Sequence, residues 1–132
     1  MKADLLDSSA WIECLDDGLN TKHFAPILRK MPRVIVPTVV VAEVRKVVIR
    51  QRSRQEADNV TVALCTGILV PLDESIAIAA ADLSTKHKLP LADSIIYATA
   101  LANNALLWTQ DDHFKGLPQV RYFPKIKPAS KD

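Results

Sequence analysis

Short apolar runs of four or five residues alternate along this chain with longer segments of helical periodicity. Most of the short runs lie too far apart for the tight loops of β-hairpins, which favours parallel pairing through helical crossovers. We therefore predict an α/β fold in which helices cover both faces of a parallel sheet. The predicted strands are ADLLD, RVIV, ILVPL, ALLWT and VRYF.

The segments between these strands predict six helices. The chain of 132 residues is long enough to bury one core, and no repeat or linker divides it. We expect a single domain over residues 1–132, with residues 125–132 as a flexible basic tail. The predicted helices are SSAWIECLDDG, TKHFAPILRK, VVVAEVRKVVIRQR, RQEADNVTVALCTG, DESIAIAAADLSTKHK and ADSIIYATALANN.

The distribution of polar residues and thiols predicts a cytoplasmic protein without a membrane segment. Lys2, Asp4 and Asp7 stand where a signal peptide needs an apolar core, and no apolar run approaches the ~20 residues that span a bilayer. Cys14 and Cys65 form no CxxC pattern, so we expect buried, reduced thiols.

Cations cluster in the stretch EVRKVVIRQRSRQ, although the net charge of the chain is only +2. A solvated helix face is one interpretation of this run. A surface that contacts phosphates is the other. The candidate phosphate contacts are Arg45, Arg50, Arg52 and Arg54.

Four acidic residues lie at the ends of predicted strands, at the start of a predicted helix or at the margin of an apolar helix face. Asp7 follows the first predicted strand and Asp111 follows ALLWT, so both open at the carboxyl edge of a parallel sheet. Asp93 begins a predicted helix, and Glu43 lies at the margin of an apolar helical stripe. Helix capping by the aspartates and an ion pair between Glu43 and Lys46 are the alternative interpretations.

Such a cluster of acids indicates a site for a hard cation. Two carboxylates ~4 Å apart repel by roughly 4 kcal/mol near a protein surface, so a cluster needs a cation or a shared proton. Oxygen ligands without a zinc-like Cys or His pattern suit Mg²⁺ or Mn²⁺. Asp112 is a second choice beside Asp111, and we interpret His113 as a turn residue. The hydroxyls next to the acids belong to Ser8, Ser9 and Thr109, with helix capping as the alternative for the serines.

Four stretches in this order carry a resemblance to a known family: LLDSSAWIE, VPTVVVAEV, LPLADSIIYATA and LLWTQDDHFKGL. They resemble the four acidic motifs of PIN-domain ribonucleases, most closely the VapC toxins of prokaryotic type II toxin–antitoxin systems. The resemblance extends nearly end to end. It implies a three-layer α/β/α PIN domain with one or two Mg²⁺ or Mn²⁺ ions, which activate water for attack on an RNA phosphate. The implied catalytic and metal-binding residues are Asp7, Glu43, Asp93 and Asp111, supported by Ser8 or Ser9 and Thr109.

The resemblance also implies partners and a substrate class. Such toxins cleave structured RNA, either a tRNA or a ribosomal RNA loop, and thereby inhibit translation. They form homodimers and are inhibited by a VapB-like antitoxin, whose tail occupies a hydrophobic groove and approaches the acids. An acidic rim repels a polyanion, so cations elsewhere, such as the four arginines above, are expected to bind the RNA backbone.

Two other functions compete with this expectation. A receiver-type phosphoacceptor domain is also a small α/β fold, but it needs an aspartate after a middle strand, where this chain has RVIVPT. A catalytically inactive PIN-fold module that binds RNA or protein is the second alternative. The presence of all four acids argues against it.

Overall fold

The computed structural model describes residues 3–127 and contains the five strands and six helices that the sequence predicts. The strands are β1 (Ala3–Leu6), β2 (Ile35–Pro37), β3 (Ile68–Val70), β4 (Ala105–Thr109) and β5 (Val120–Tyr122). The helices are α1 (Ser8–Leu15), α2 (Thr21–Leu28), α3 (Thr38–Gln51), α4 (Arg54–Cys65), α5 (Glu74–His87) and α6 (Leu91–Ala102), and a one-turn 3₁₀ helix spans Asp112–Phe114.

All five strands pair in parallel, in the order β3-β2-β1-β4-β5. The chain therefore builds outward from β1 through β2 to β3, and then crosses back to place β4 on the other side of β1. This reversal makes the carboxyl ends of β1 and β4 a topological switch point, which is where ligands bind in open α/β sheets. The predicted α/β/α fold is confirmed.

Helices cover both faces of the sheet, as the central strand shows. Leu5 and Leu6 are neighbours in β1 and point to opposite faces, yet both are fully buried. The aromatic rings of Phe24, Tyr97 and Phe114 are also fully or almost fully buried. The core therefore lies on both sides of β1 and β4 and fixes the strand ends that carry the acids.

Local capping explains where several helices begin. The side chains of Asp7, Ser53 and Asp73 accept hydrogen bonds from the first turns of α1, α4 and α5. At its other end α1 stops at Leu15, three residues before Gly18, because Asp17 adopts a left-handed backbone with φ of 51°. The predicted first helix is thus shorter than its sequence pattern indicates.

Three expectations about thiols, tail and membrane meet different outcomes. Both cysteines are free, but Cys14 is half-buried and Cys65 is exposed, so the prediction of two buried thiols is wrong. Cys65 is the last residue of α4, and its neighbour Leu64 is the residue that is buried in the core there. Residues 125–127 are exposed and irregular, while 128–132 lie outside the described residues, and the single domain with a flexible tail stays a prediction. Within residues 3–127 no helix has the length and apolar character to cross a membrane.

Candidate functional site

Asp7 is a buried carboxylate held by three hydrogen bonds at the end of β1. Its Oδ1 accepts from the Ser9 hydroxyl at 2.7 Å and from the Ala10 amide at 2.9 Å, and its Oδ2 accepts from the Thr109 hydroxyl. The residue is only 2% exposed. Asp7 therefore caps α1, as the alternative interpretation expected, and at the same time bridges β1 to the end of β4.

Glu43 reaches the same edge from the second turn of α3. Its Oε1 accepts a hydrogen bond of 2.6 Å from the hydroxyl of Ser8, the residue that follows Asp7. Within residues 3–127 Glu43 forms no ion pair, so the alternative of a pair with Lys46 is not realised. Ser8 thus orients the carboxylate of Glu43 toward the switch point.

Asp93 and Asp111 meet around the imidazole of His113. Nδ1 of His113 lies 2.7 Å from Asp111 Oδ1 and 3.3 Å from Asp93 Oδ2. Asp111 also accepts the amide of His113 at 2.9 Å and begins the 3₁₀ helix. Asp93 is the third residue of α6, whose N-cap is Pro90, so the expectation of an N-cap aspartate is wrong.

Thr109 and Ser9 connect the two halves of the cluster. The Thr109 hydroxyl donates to Asp7 and accepts the Asp111 amide at 2.9 Å. The Ser9 hydroxyl lies 3.4 Å from that of Thr109. These contacts join the acid of β1 to the acid after β4 through hydroxyls.

Electrostatic repulsion and burial raise the pKa values of two of these acids. Burial raises the pKa of Asp7 to about 6 against the effect of its hydrogen bonds, and the charge of Asp111 adds to the rise. The pKa of Asp93 rises to about 7, first through burial and then through the charge of Asp111. His113 lowers the pKa of Asp93, whereas the charges of Asp7 and Glu43 raise it further. The four acids therefore share one electrostatic site.

The donor set of this site fits a divalent cation. One oxygen each of Asp93 and Asp111 and one nitrogen of His113 lie within 4.8 Å of one another. These three atoms are nearly as close to one another as the ligands of one Mg²⁺, which are at most ~4.2 Å apart because each lies 2.0–2.1 Å from the ion. Burial, and after it the charges of neighbouring acids, raise the pKa values of Asp7 and Asp93, and a bound cation would favour the ionised form of both carboxylates.

The four arginines of the basic stretch divide into two pairs. Arg45 forms an ion pair of 2.9 Å with Asp58, and Arg52 binds Asp16 at 2.8 Å. Their positive charges are thus engaged between helices. Arg50 and Arg54 are exposed and, among residues 3–127, make no ion pair.

Sequence reasoning placed the acids but gives no role to three residues around them. The position of His113, two residues after Asp111, indicates that it is near the site, but the sequence interpretation is a turn residue. Glu13 and Gln110 were not considered. They form a buried hydrogen bond of 3.3 Å beside the loop that carries Asp111. A glutamate within the apolar run AWIECL was the available signal.

Comparison with known proteins identifies the fold family. The model of the PIN domain family matches residues 5–119, and no curated protein matches the chain.

Among solved structures, a toxin–antitoxin complex from Klebsiella pneumoniae has a TM-score of 0.78 at 24% identity, covering 94% of this chain and 100% of that one. VapBC2 from Rickettsia felis, bound to a promoter DNA fragment, has a TM-score of 0.71 at 16% identity over 94% and 99%. VapC20 of Mycobacterium tuberculosis, a toxin that cleaves the sarcin-ricin loop, has a TM-score of 0.69 at 15% identity over 90% and 99%. At these identities the structures share the fold, and the family model spans most of the sequence. This chain belongs to the PIN domain family.

Proposed function

We propose that the chain is an Mg²⁺- or Mn²⁺-dependent endoribonuclease that acts as the toxin of a type II toxin–antitoxin pair. Its substrate is structured RNA, a tRNA or a ribosomal RNA loop, and its cleavage inhibits translation in the cytoplasm. The family membership and the similarity in fold to toxin chains of VapBC complexes support this proposal.

One observation carries the proposal. Asp7, Glu43, Asp93 and Asp111 come from four separate segments and lie at one electrostatic site, as the rise in the pKa of Asp93 under the other three charges indicates. The site lies at the switch point between β1 and β4. Titratable groups with perturbed pKa values that gather at one place are typical of functional sites.

The residues of the chain divide the work of holding a metal and orienting the substrate. The four carboxylates would hold the cation, which would supply an activated water and neutralise charge on the phosphate. Three hydrogen bonds fix Asp7, and the Ser8 hydroxyl fixes Glu43. No side chain of the cluster needs to form a covalent bond with RNA, because water is the nucleophile.

Arg50 and Arg54 are the preferred contacts to the RNA backbone in this proposal. Arg50 lies seven residues after Glu43 in α3, which corresponds to about 10 Å along the helix axis. A phosphate several nucleotides from the cleaved bond can therefore reach it. Arg45 and Arg52 are second candidates, since a phosphate has to displace their carboxylate partners first.

Exposed apolar side chains support protein partners, for which we propose a VapB-like antitoxin and a second copy of this chain. Large exposed apolar side chains in the described part concentrate between residues 62 and 91, on α4, β3 and α5, in the loop after β3 and at the first residue of α6. Such concentration is typical of interaction surfaces. Its members are Val62, Ile68, Leu69, Leu72, Ile78 and Leu91.

Cleavage of total RNA by the purified chain in Mg²⁺ or Mn²⁺ tests the activity. We expect discrete fragments from the wild type and none in EDTA or from Asp7→Asn and Asp111→Asn. Asp112→Asn is the matched control, because Asp112 is exposed and lies outside the group around His113. It removes the same charge one residue away and should cleave as the wild type does.

The alternative of an inactive binding module makes the opposite prediction. In that case the wild type and Asp7→Asn are equally inert toward RNA but still bind RNA or a protein partner. Fragments that persist in EDTA would instead point to a contaminating metal-independent ribonuclease and would contradict the proposed metal dependence.

A further inference from the structure

A closed ring of buried hydrogen bonds lies next to the acidic cluster. Oε1 of Glu13 accepts from Gln110 Nε2 at 3.3 Å, and its Oε2 accepts from the backbone amide nitrogen of Asn20 at 2.9 Å. Asn20 Nδ2 in turn donates to Gln110 Oε1 at 3.0 Å. The exposed fractions of Glu13, Asn20 and Gln110 are 5%, 1% and 8%. Both ends of the Gln110 amide are therefore fixed by buried partners.

The ring joins four separate parts of the chain. Glu13 lies in α1, Asn20 precedes α2, and Gln110 follows β4. Asn20 Nδ2 also donates to the carbonyl of Pro124, after β5, at 2.9 Å. Nζ of Lys125 lies 3.9 Å from Glu13 Oε1 and supplies a distant positive charge. The ring therefore connects these segments through buried hydrogen bonds.

Close packing against Gly18 keeps the Glu13 carboxylate in place. A Cβ atom at Gly18 would lie 2.3–2.4 Å from the carboxylate of Glu13. Only glycine leaves room for this approach. The chain thus accommodates a buried carboxylate at a position where an apolar side chain would pack without the cost of desolvation, which indicates a role beyond filling the core.

The main chain of Gln110 connects the ring to the metal-binding side chains. Its amide nitrogen lies 3.3 Å from the hydroxyl of Ser9, which donates to Asp7. Its neighbours in sequence are Thr109, which donates to Asp7, and Asp111 itself. The backbone of Gln110 is thus fixed between two site residues, Thr109 and Asp111, while its side chain is held in the ring.

We propose that the hydrogen-bond ring of Glu13, Asn20 and Gln110 positions Asp111 for divalent-cation binding, with Gln110 as a positioning residue. The inference rests on the proposed function, because it assumes that the acidic cluster binds Mg²⁺ or Mn²⁺. Groups that orient metal ligands from outside the coordination sphere typically change metal affinity by 10–100-fold.

Exchange of the Glu13 and Gln110 side chains provides a sharp test of the role of the ring. Gln110→Glu places two carboxylates face to face, and Glu13→Gln leaves one donor of the ring without its acceptor. The double variant Glu13→Gln/Gln110→Glu restores all three hydrogen bonds, because Gln at 13 accepts from the Asn20 amide and donates to Glu at 110. We expect each single variant to bind Mn²⁺ at least tenfold more weakly, and the double variant to return to within about threefold of wild type.

Calorimetric titration with Mn²⁺ alone measures the affinity, and thermal unfolding in EDTA measures stability in parallel. Asp73→Ala is the control, because it removes the N-cap of α5 and Asp73 takes no part in the hydrogen bonds of the ring. We expect it to lower the unfolding midpoint without changing Mn²⁺ affinity more than twofold. If Gln110→Glu does not fold, Gln110→Met removes both side-chain hydrogen bonds of Gln110 without adding charge.

Two results overturn the inference while leaving the proposed function intact. In the first, the single variants lose stability as Asp73→Ala does but bind Mn²⁺ as tightly as wild type. In the second, the double variant binds Mn²⁺ no better than the single ones. A wild-type chain that does not bind Mn²⁺ at all overturns the proposed function, and this inference with it.

Discussion

Hydrogen bonds stabilise the ionised form of Asp7, whereas its burial destabilises that form. Three donors favour its ionised form, yet loss of solvent outweighs them and raises its pKa to about 6. The same carboxylate caps α1 and faces the other acids. Its substitution should therefore separate stability from function.

Asp7→Asn should abolish RNA cleavage and stabilise the metal-free chain above pH 6. The rise in pKa from 3.8 to about 6 corresponds to at most roughly 3 kcal/mol, at ~1.4 kcal/mol for each pH unit. Reorientation of the Thr109 hydroxyl cancels part of this gain in stability, so we expect the free energy of unfolding to rise by about 1–2 kcal/mol. Urea unfolding in EDTA at pH 7.5 and pH 4 measures it.

The sign of this effect follows from linkage. The folded protein binds the Asp7 proton more tightly than the unfolded chain, so the wild type loses stability as pH rises from about 4 through 6. The advantage of Asp7→Asn should therefore be absent at pH 4 and complete at pH 7.5. An Asn variant less stable than wild type at pH 7.5 contradicts the burial argument.

His113→Ala should raise the pKa of Asp93 further in the metal-free protein. The imidazole lies 3.3 Å from Asp93 Oδ2 and lowers the pKa of that carboxyl, whose value is already about 7. Carbon-13 NMR of the side-chain carboxyls in EDTA measures the change. Asp7 is the internal control, because His113 is not among the causes of its shift. An unchanged pKa at Asp93 would contradict the effect that His113 has on this carboxyl.

At the scale of elements, the sequence predicts what depends on local periodicity and misses what depends on distant side chains. Strands and helices carry their own periods and capping residues, so their order could be predicted. Asp7 and Asp111 could be placed together because parallel strands end at one edge. The ring contact between Glu13 and Gln110 spans 97 residues, and no local pattern indicates it. The Ser8–Glu43 bond, which spans 35 residues, is invisible for the same reason.

Charge reversal at the end of α3 and start of α4 should weaken RNA binding in a salt-dependent way. In an Asp7→Asn background, which prevents cleavage, Arg50→Glu/Arg54→Glu should flatten the slope of log K against log salt by about 0.7–0.9 for each lost phosphate contact. Filter binding to a structured RNA between about 50 and 200 mM salt measures the slope.

Arg29→Glu/Arg33→Glu is the matched control, with the same change in charge. These arginines line a cavity with Ala3 and Asp4, at the amino end of β1 and thus opposite the acids. An equal loss of affinity and slope in the control would show that RNA responds to the total charge of the molecule rather than to Arg50 and Arg54.

On the scale of the whole molecule, the parallel sheet makes the site and folding stability interdependent. The reversal of chain direction at β1 brings Asp7 and Asp111 together, and α3 and α6 deliver Glu43 and Asp93 to the same edge. The core around β1 therefore holds carboxylates that repel one another. A cation that relieves this repulsion binds only the folded chain, so it should stabilise the entire domain.

Mn²⁺ should reverse the pH dependence of unfolding. In EDTA the unfolding midpoint falls as pH rises from 5 to 7.5, because the raised pKa values of Asp7 and Asp93 make their ionisation unfavourable in the folded state. Metal binding needs the ionised carboxylates and therefore strengthens over the same range. At 100 times its dissociation constant Mn²⁺ adds ~2.7 kcal/mol to the free energy of unfolding, which raises the unfolding midpoint by about 10 °C for a chain of this length.

Scanning calorimetry at pH 5, 6, 7 and 7.5 with Mn²⁺ or EDTA measures the midpoint as a function of pH under both conditions. The double variant Asp7→Asn/Asp93→Asn should show one flat curve under both conditions. Parallel wild-type curves would mean that the cation binds elsewhere, because only ligands that titrate over this range can make the two curves diverge.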